Sequence, residues 1–172
     1  MTSGPTNPHD ELCQLRQERS SLALKLHASE ERLRQLCDHS PVPVAIISVA
    51  EAKYVYVNRA HADFLKQPHE YFFSSDPYQI FVDVTPAEDF ENERALLQRL
   101  VDGELDHYRL HKRFRLANGE LRWGELHVSV SRDDQGRLRE MVLVTVDVQE
   151  LHAARAEQQR LEEQLMRSQK LE

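Results

Sequence analysis

The residues that decide the fold run from 103 to 150 and read GELDHYRLHKRFRLANGELRWGELHVSVSRDDQGRLREMVLVTVDVQE. Three strand-like runs are separated by two turn sequences, Ala117–Gly119 and Asp133–Gly136, whose Asn-Gly and Gln-Gly pairs favour tight reversals. The last run, Met141–Val148, is apolar on both faces, which is typical of a central strand. It passes into a helical sequence without a break. The stretch therefore predicts an antiparallel meander whose final strand feeds a helix.

Alternation in the first two strands assigns each side chain to a face. In the first strand one face is apolar and the other is basic; the apolar set is Tyr108, Leu110, Phe114 and Leu116, and the basic set is His107, Arg109, His111, Arg113 and Arg115. In the second strand Leu126, Val128 and Val130 share one face, and Leu121, Trp123 and His127 share the opposite one. One face of this sheet must be covered by the aromatic middle of the chain, and the other by the N-terminal helix or a second subunit.

Composition limits the classes of function. The chain has 172 residues, of which 40% are apolar and 30% charged, with a net charge of −7. The acidic balance argues against a general nucleic-acid partner. No apolar run is long enough for a membrane span and no signal peptide is recognisable, so we expect a cytoplasmic segment with no membrane partner. The high charge predicts long solvated helices.

The N-terminal region predicts a flexible leader, residues 1–9, and a coiled-coil helix, residues 10–37. Leucines recur at heptad spacing and form a seam that we call the N-terminal seam: Leu12, Leu15, Leu22, Leu26, Leu33 and Leu36. The alternative is an amphipathic helix that lies on its own domain. Cys13 and Cys37 would lie roughly 36 Å apart on this helix, too far to pair within one chain.

Residues 38–102 read as two strands and several helices. Pro41 ends the first helix, strands follow at 42–49 and 54–57, and Asn58 caps a short helix. Residues 66–85 predict short helical turns rich in aromatics, and Thr85 is predicted to cap a helix that ends at Gly103. Four acidic residues are interpreted as a charged first turn of that helix: Glu88, Asp89, Glu91 and Glu93.

Residues 150–172 predict a second coiled-coil helix that lacks Gly and Pro. Its heptad seam is weaker than the N-terminal one and consists of Leu151, Ala154, Gln158, Leu161, Leu165 and Ser168. The sequence stops in mid-helix, which suggests a fragment of a longer protein, and the final Leu-Glu is either native or a cloning remnant.

The order of elements and three motifs resemble a PAS domain over residues 37–150. VYVNRAHADFL is similar to the second strand and the Asn-x-Ala helix of that family, and FRLANGELRW, residues 114–123, to its Asn-Gly turn and Trp-bearing strand. VDVQE, residues 146–150, resembles the Asp-Ile-Thr-Glu junction at which the sheet meets a signalling helix, with Gln149 in place of the threonine. The resemblance implies an α+β PAS fold over residues 38–149: a five-stranded antiparallel sheet with helices on one face, flanked by two coiled-coil helices.

The resemblance also implies a function. RLEEQLMRSQKLE at the C-terminus is similar to the helix that precedes the phosphoacceptor region of sensor histidine kinases. We therefore expect a homodimeric sensory module that passes a conformational change through Asp147, Gln149 and Glu150 to a kinase in the same chain. The alternatives are an assembly module without a ligand, or a sensor for a cyclic-dinucleotide enzyme or a transcription regulator.

No residue set predicts catalysis by this segment, and no metal site is expected. His107 and His111 are interpreted as solvated or interfacial, and His152 as a surface histidine. The sequence does not identify a cofactor, and a domain without any cofactor is one of the alternatives. Neither cysteine lies in the core, which argues against a flavin–thiol adduct. The long helix lacks the histidine that haem-binding relatives use. Six residues are candidates to line a pocket for non-covalent flavin or another small ligand, with core packing as the alternative: Tyr56, Asn58, Phe64, Phe81, Phe114 and Trp123.

Overall fold

The computed structural model describes residues 8–169, and the side chains of residues 12–167. The chain divides after His39 into two compact units. The first unit is a single helix, α1, Pro8–Asp38, which begins two residues before the predicted start at residue 10. Residues 1–7 of the predicted leader and 170–172 of the predicted C-terminal helix lie outside the described part of the chain.

The second unit is an α+β fold built on one sheet. Its elements in chain order are β1 Val44–Ser48, β2 Lys53–Val57, α2 Arg59–Leu65, α3 His69–Ser74, α4 Pro77–Val84, α5 Ala87–Val101, β3 His107–Arg115, β4 Leu121–Arg132, β5 Leu138–Asp147 and α6 Gln149–Gln169. The five strands are antiparallel in the order β2-β1-β5-β4-β3. This arrangement confirms the predicted five-stranded sheet and places the doubly apolar strand, β5, at its centre.

Both predicted turns of the meander form. Gly119 has a φ of +84° between β3 and β4, and Gly136 has a φ of +77° between β4 and β5. Only glycine adopts this left-handed region without a steric penalty, which explains why these two positions close the hairpins. At the β1–β2 turn Ala52 takes the left-handed conformation instead, with a φ of +48°.

The helices α2 to α5 cover one face of the sheet, which we call the inner face. The core beneath them is apolar: Ala45, Tyr54, Val57, Ala62, Phe64, Leu65, Phe72, Ile80, Val84, Leu100, Tyr108, Phe114, Leu116, Leu126 and Val128. Alternation along β3 and β4 correctly assigned Tyr108, Leu126 and Val128 to this face.

The prediction for the start of α5 was wrong in two respects. Pro86, rather than Thr85, occupies the cap position, and it makes no side-chain hydrogen bond to the first turn. Thr85 is buried, and its hydroxyl is engaged by Glu93 and Lys112. Glu93 was predicted to belong to a charged first turn, but it lies in the second turn and is only 3% exposed, because its side of the helix faces the sheet. The acidic residues of the first turn are Glu88 and Asp89.

Candidate functional site

A charged pair lies inside the core, between α5 and the inner face of the sheet. Lys112 on β3 is 1% exposed, and its Nζ contacts a carboxylate oxygen of Glu93 and donates to Thr85 Oγ1 at 2.7 Å. Burial lowers the pKa of the Lys112 amine, and the charge of Glu93 opposes that effect. A buried ion pair is held only if its members bond one another, so these three side chains fix α5 against β3.

Three predicted pocket residues gather around this pair. Phe64 and Phe114 pack edge to face with ring centroids 5.2 Å apart. Lys112 Nζ lies 4.5 Å from the Phe114 centroid and 5.9 Å from that of Phe81. At these distances the ammonium group is attracted to the aromatic faces as well as to the carboxylate of Glu93. The aromatic rings and the ion pair thus form one contiguous cluster, which we call the core cluster.

Asn58, another predicted pocket residue, is completely buried and serves the backbone. Its Oδ1 accepts from Val44 N–H at 2.9 Å and from His61 N–H at 3.0 Å, and its Nδ2 donates to Val42 O at 2.8 Å. The first two bonds join the start of α2 to the start of β1, as expected of an N-cap. The side chain therefore ties a helix to the sheet.

The other two candidates do not join the core cluster. Tyr56 is paired with Ile46 across β1 and β2, whereas the inner-face residue Ala45 is paired with Val57, so Tyr56 lies on the opposite, outer face of the sheet. Trp123 also lies on the outer face, because its partner across the hairpin is Arg113 and the inner face of β4 carries Gly124 and Leu126. The structure thus brings together three of the six residues.

Trp123 is the point at which the exit helix α6 meets the sheet. Its backbone N–H donates to Gln149 Oε1 at 2.9 Å, and its carbonyl accepts from Val148 N–H at 3.2 Å. Its indole ring stacks on the imidazole of His152, with centroids 4.2 Å apart and planes 5° from parallel. The predicted junction residue Gln149 therefore supplies, through its amide oxygen, a contact from α6 to β4.

Asp147 stands at the last position of β5 and prepares the first turn of α6. Its Oδ1 accepts from the Gln149 N–H at 3.0 Å, and its Oδ2 lies 3.8 Å from Arg122 Nη1 on the neighbouring strand. A carboxylate that accepts from a free amide at a helix start stabilises that start. Glu150 follows in the first turn, where its negative charge also favours the helix dipole. The three predicted junction residues thus lie together.

A second charged cluster lies on the outer face, on β3 and β4. Glu125 contacts His111, lies 2.7 Å from His127 Nε2 and is 3.8 Å from Arg109 Nη1. Burial raises the pKa of the Glu125 carboxyl, but the hydrogen bonds with both histidines and the charge of Arg109 outweigh that effect and lower it. Within residues 8–169 no set of three or more histidine, cysteine, aspartate or glutamate side chains is arranged to hold a metal ion.

His61 is a buried titratable group on the helical side. It is 5% exposed, its ring centroid lies 5.2 Å from that of Phe72, and its Nδ1 has no hydrogen-bond partner within the described part of the chain. Burial lowers the pKa of His61 to about 4, because a charged imidazolium would lose its hydration there. The side chain is therefore neutral near pH 7.

Sequence reasoning missed Lys112, Glu93 and His152 as interacting residues. Strand alternation carried the signal for the first, since Lys112 lies between two inner-face positions, Leu110 and Phe114. Helical spacing carried it for Glu93, which lies seven residues before the buried Leu100 and so shares its face of α5. No sequence pattern indicates the role of His152, because its partner on β4 is set by the tertiary fold.

Comparison with known proteins agrees with this geometry. The family model described as the PAS fold matches residues 37–153. The probable diguanylate cyclase DgcE of Escherichia coli (strain K12) is 26% identical over 137 residues, which cover 80% of this chain and 12% of that protein. This chain thus spans about one eighth of that curated relative.

Solved structures share the fold at low identity. The N-terminal domain of a diguanylate cyclase with a PAS/PAC sensor from Marinobacter aquaeolei superposes with a TM-score of 0.57 at 17% identity, covering 64% of this chain and 98% of that one. A sensory box histidine kinase/response regulator from Burkholderia thailandensis E264 gives 0.60 at 15% identity, covering 79% and 98%. Among the residues that the structure describes, no helix has the length and apolar character needed to cross a bilayer. From its match over residues 37–153 and its five-stranded sheet, the chain belongs to the PAS fold family, the sensor modules of signalling proteins.

Proposed function

We propose that this chain is the regulatory PAS module of a signalling protein, and that it passes a conformational change from its sheet to an effector through the exit helix α6. The observation that carries the proposal is the attachment of α6 to two strands at once. The helix continues β5 through Asp147 and is bonded to β4 through Gln149 and Trp123. A change in the packing of the sheet then alters the direction or register of the helix.

Dimerisation is the second part of the proposal. All six leucines of the N-terminal seam are half or more exposed, from 50% for Leu12 to 67% for Leu22. On α6 the seam residues Leu151, Leu161 and Leu165 are 45–64% exposed. Leucines at heptad spacing bury this surface when two copies pair side by side, which supports a parallel homodimer with a coiled coil at each end.

We propose a histidine kinase as the effector, on the strength of the likeness of residues 160–172 to the helix that precedes a kinase phosphoacceptor region. A diguanylate cyclase is the second candidate. It is favoured by the relative from Escherichia coli, which carries that activity in its name and matches 80% of this chain. Fusing α6 in frame to each effector type, and assaying phosphotransfer and cyclic dinucleotide synthesis, separates the two.

An assembly module without a ligand is a further candidate. It is supported by the packing of the core cluster, in which Phe64, Phe114 and Lys112 contact one another directly. Absorbance spectra and native mass spectrometry of the purified protein distinguish a ligand-binding sensor from an assembly module without a ligand. A bound chromophore or a small molecule that survives purification supports sensing through the core, and a dimer of bare mass supports assembly.

The relay is tested with Asp147→Ala in the complete protein. Loss of this carboxylate removes the acceptor at the start of α6 and the contact with Arg122, so the effector should lose its normal response to stimulus while the domain stays folded. Asp63→Ala is the control for the loss of an exposed carboxylate that pairs with an arginine, because Asp63 Oδ2 lies 3.5 Å from Arg59 Nε but belongs to α2. An unchanged response in Asp147→Ala would reject the role assigned to the junction.

Dimerisation through the N-terminal seam is tested by deleting residues 1–36. Sedimentation equilibrium should then show markedly weaker self-association, because the exposed leucines that drive pairing are gone. A dimer of unchanged affinity would place the interface on the sheet instead.

A further inference from the structure

The outer edge of the sheet holds a chain of contacts between α5 and α6. β3 is an edge strand, so the backbone groups on its free side need partners outside the sheet. Asp89 on α5 supplies one, since its Oδ2 accepts from the Arg113 backbone N–H at 3.2 Å and lies 3.0 Å from Arg113 Nε. The first turn of α5 is thus bonded to both the backbone and the side chain of one edge residue.

Arg113 continues the chain toward the exit helix. It is paired with Trp123 across the β3–β4 hairpin, and its guanidinium carbon lies 5.8 Å from the indole ring. That distance is within the range of a cation–π contact. The hydrogen bond and charge of Asp89 raise the pKa of Arg113, and Glu88 Oε2 lies 3.6 Å from Arg113 Nη2, so two carboxylates hold the cation from the α5 side. Trp123 is therefore reached from α5 without passing through the core.

The chain of contacts ends on α6. The indole of Trp123 lies flat on His152, whose Nε2 is buried and has no hydrogen-bond partner among the residues that the structure describes. The imidazole is therefore positioned mainly by the indole surface, with the His111 ring on β3 farther away at a centroid distance of 6.1 Å. The His152 backbone belongs to the first turn of α6, where its N–H donates to Val148 O at 3.0 Å. A shift of the indole must consequently move this turn or break the stack.

Helix α5, at which the chain of contacts begins, also contacts the core. Asp89 and Glu93 are four residues apart, about one turn of α5, so they lie on neighbouring positions of one face. Asp89 holds Arg113 at the edge, and Glu93 holds Lys112 in the core. A displacement of α5 that originates in the core cluster therefore pulls on the edge contact as well.

We propose that Asp89, Arg113, Trp123 and His152 couple helix α5 to the exit helix around the edge of the sheet, with His152 as the positioning residue on α6. The inference rests on the proposed relay and identifies a route for it. It assigns His152 and Trp123 to the signal path and takes them out of the surface and pocket roles that sequence alone suggested.

The test is amide hydrogen exchange on the 172-residue chain, read at residues 148–155. Asp89→Asn should speed exchange there by roughly two- to thirtyfold, the size of typical long-range couplings, although Asp89 does not contact α6. Glu91→Gln is the matched control, since Glu91 also pairs with an arginine, Arg94, but on the exposed side of the same helix. It should leave residues 148–155 unchanged.

Variants at His152, combined with Asp89→Asn, complete a double-mutant cycle. His152→Ala should speed exchange at 148–155 and shift the emission of Trp123, the only tryptophan, to longer wavelength, whereas His152→Phe should preserve both values because it keeps a stacked ring. In the double variant with Asp89→Asn, the second change should add almost nothing to His152→Ala.

Three results would overturn the route: Asp89→Asn matching Glu91→Gln at residues 148–155, fully additive effects in the double variant, or equal acceleration at residues 44–57, which would report a general loss of stability. Because these outcomes are read in the isolated chain, they are separate from the Asp147→Ala output test. The route can fail while the relay stands.

Discussion

Replacing Lys112 by Met tests whether the buried ion pair holds α5 on the sheet. The substitution keeps an unbranched side chain of similar length but leaves Glu93, 3% exposed, without its cation. Breaking a buried pair in this way costs about 3–5 kcal/mol of unfolding free energy. Urea unfolding at pH 7, followed by the fluorescence of Trp123, measures that cost directly on the sheet.

The double variant Lys112→Met/Glu93→Gln supplies the comparison. The amide introduced at position 93 carries no charge yet still accepts from the Thr85 hydroxyl, so most of the lost stability, all but about 1–2 kcal/mol, should return. A single variant within about 0.5 kcal/mol of the parent, or a double variant less stable than the single one, would refute the reasoning.

Three further predictions concern single positions. His61 has a pKa of about 4 in the folded chain against 6.5 when unfolded, so its neutral form contributes fully to the free energy of unfolding above pH 6.5, and this contribution is lost as the pH falls to 4. The parent should therefore lose roughly 3 kcal/mol more than His61→Phe over that window. Parallel plots of unfolding free energy against pH for the two proteins would contradict this. In Gly124→Ala the new Cβ would lie 2.7 Å from the Phe114 ring, so calorimetry should show a loss of about 1–3 kcal/mol, which Phe114→Leu should partly relieve; no loss would show that the ring moves freely. Ala52→Gly should raise the free energy of unfolding by about 0.5–1 kcal/mol, because Ala52 has a φ of +48° and glycine adopts this left-handed conformation without strain. A variant with a lower free energy of unfolding than the parent would mean that the turn is unstrained.

Local patterns were sufficient to predict the meander and several other elements, and the resemblance to the PAS family implied the five-stranded sheet. Glycines at 119 and 136 marked two reversals, the doubly apolar run at Met141–Val148 marked the centre of the sheet, and Asn58 marked a helix start. Each of these signals depends on residues within a few positions of one another, where backbone sterics and side-chain alternation act directly. The structure confirms these elements and also the five-stranded sheet that the family resemblance implied.

Contacts between distant elements were not predictable in the same way. Glu93 and Lys112 are 19 residues apart, and a charged residue in an acidic helix is normally solvated, so only the apolar positions around each of them indicated burial. Trp123 shows a different error. Strand alternation placed it correctly on the face opposite Leu126, yet its aromatic character suggested a pocket residue alongside Phe114, which lies on the inner face. The face of the strand on which Trp123 lies was a better guide to its position than its aromatic side chain.

The central claim is that signal leaves through a paired, continuous exit helix, and inserting residues into α6 of the complete protein tests it most directly. Seven residues added after Gln158 restore the heptad phase of the seam, whereas three residues rotate Leu161 and Leu165 away from it. Effector activity, assayed with and without stimulus, should keep its normal response in the seven-residue insertion and lose or invert it in the three-residue insertion. Equal responses from the two insertions would contradict transmission through the helix.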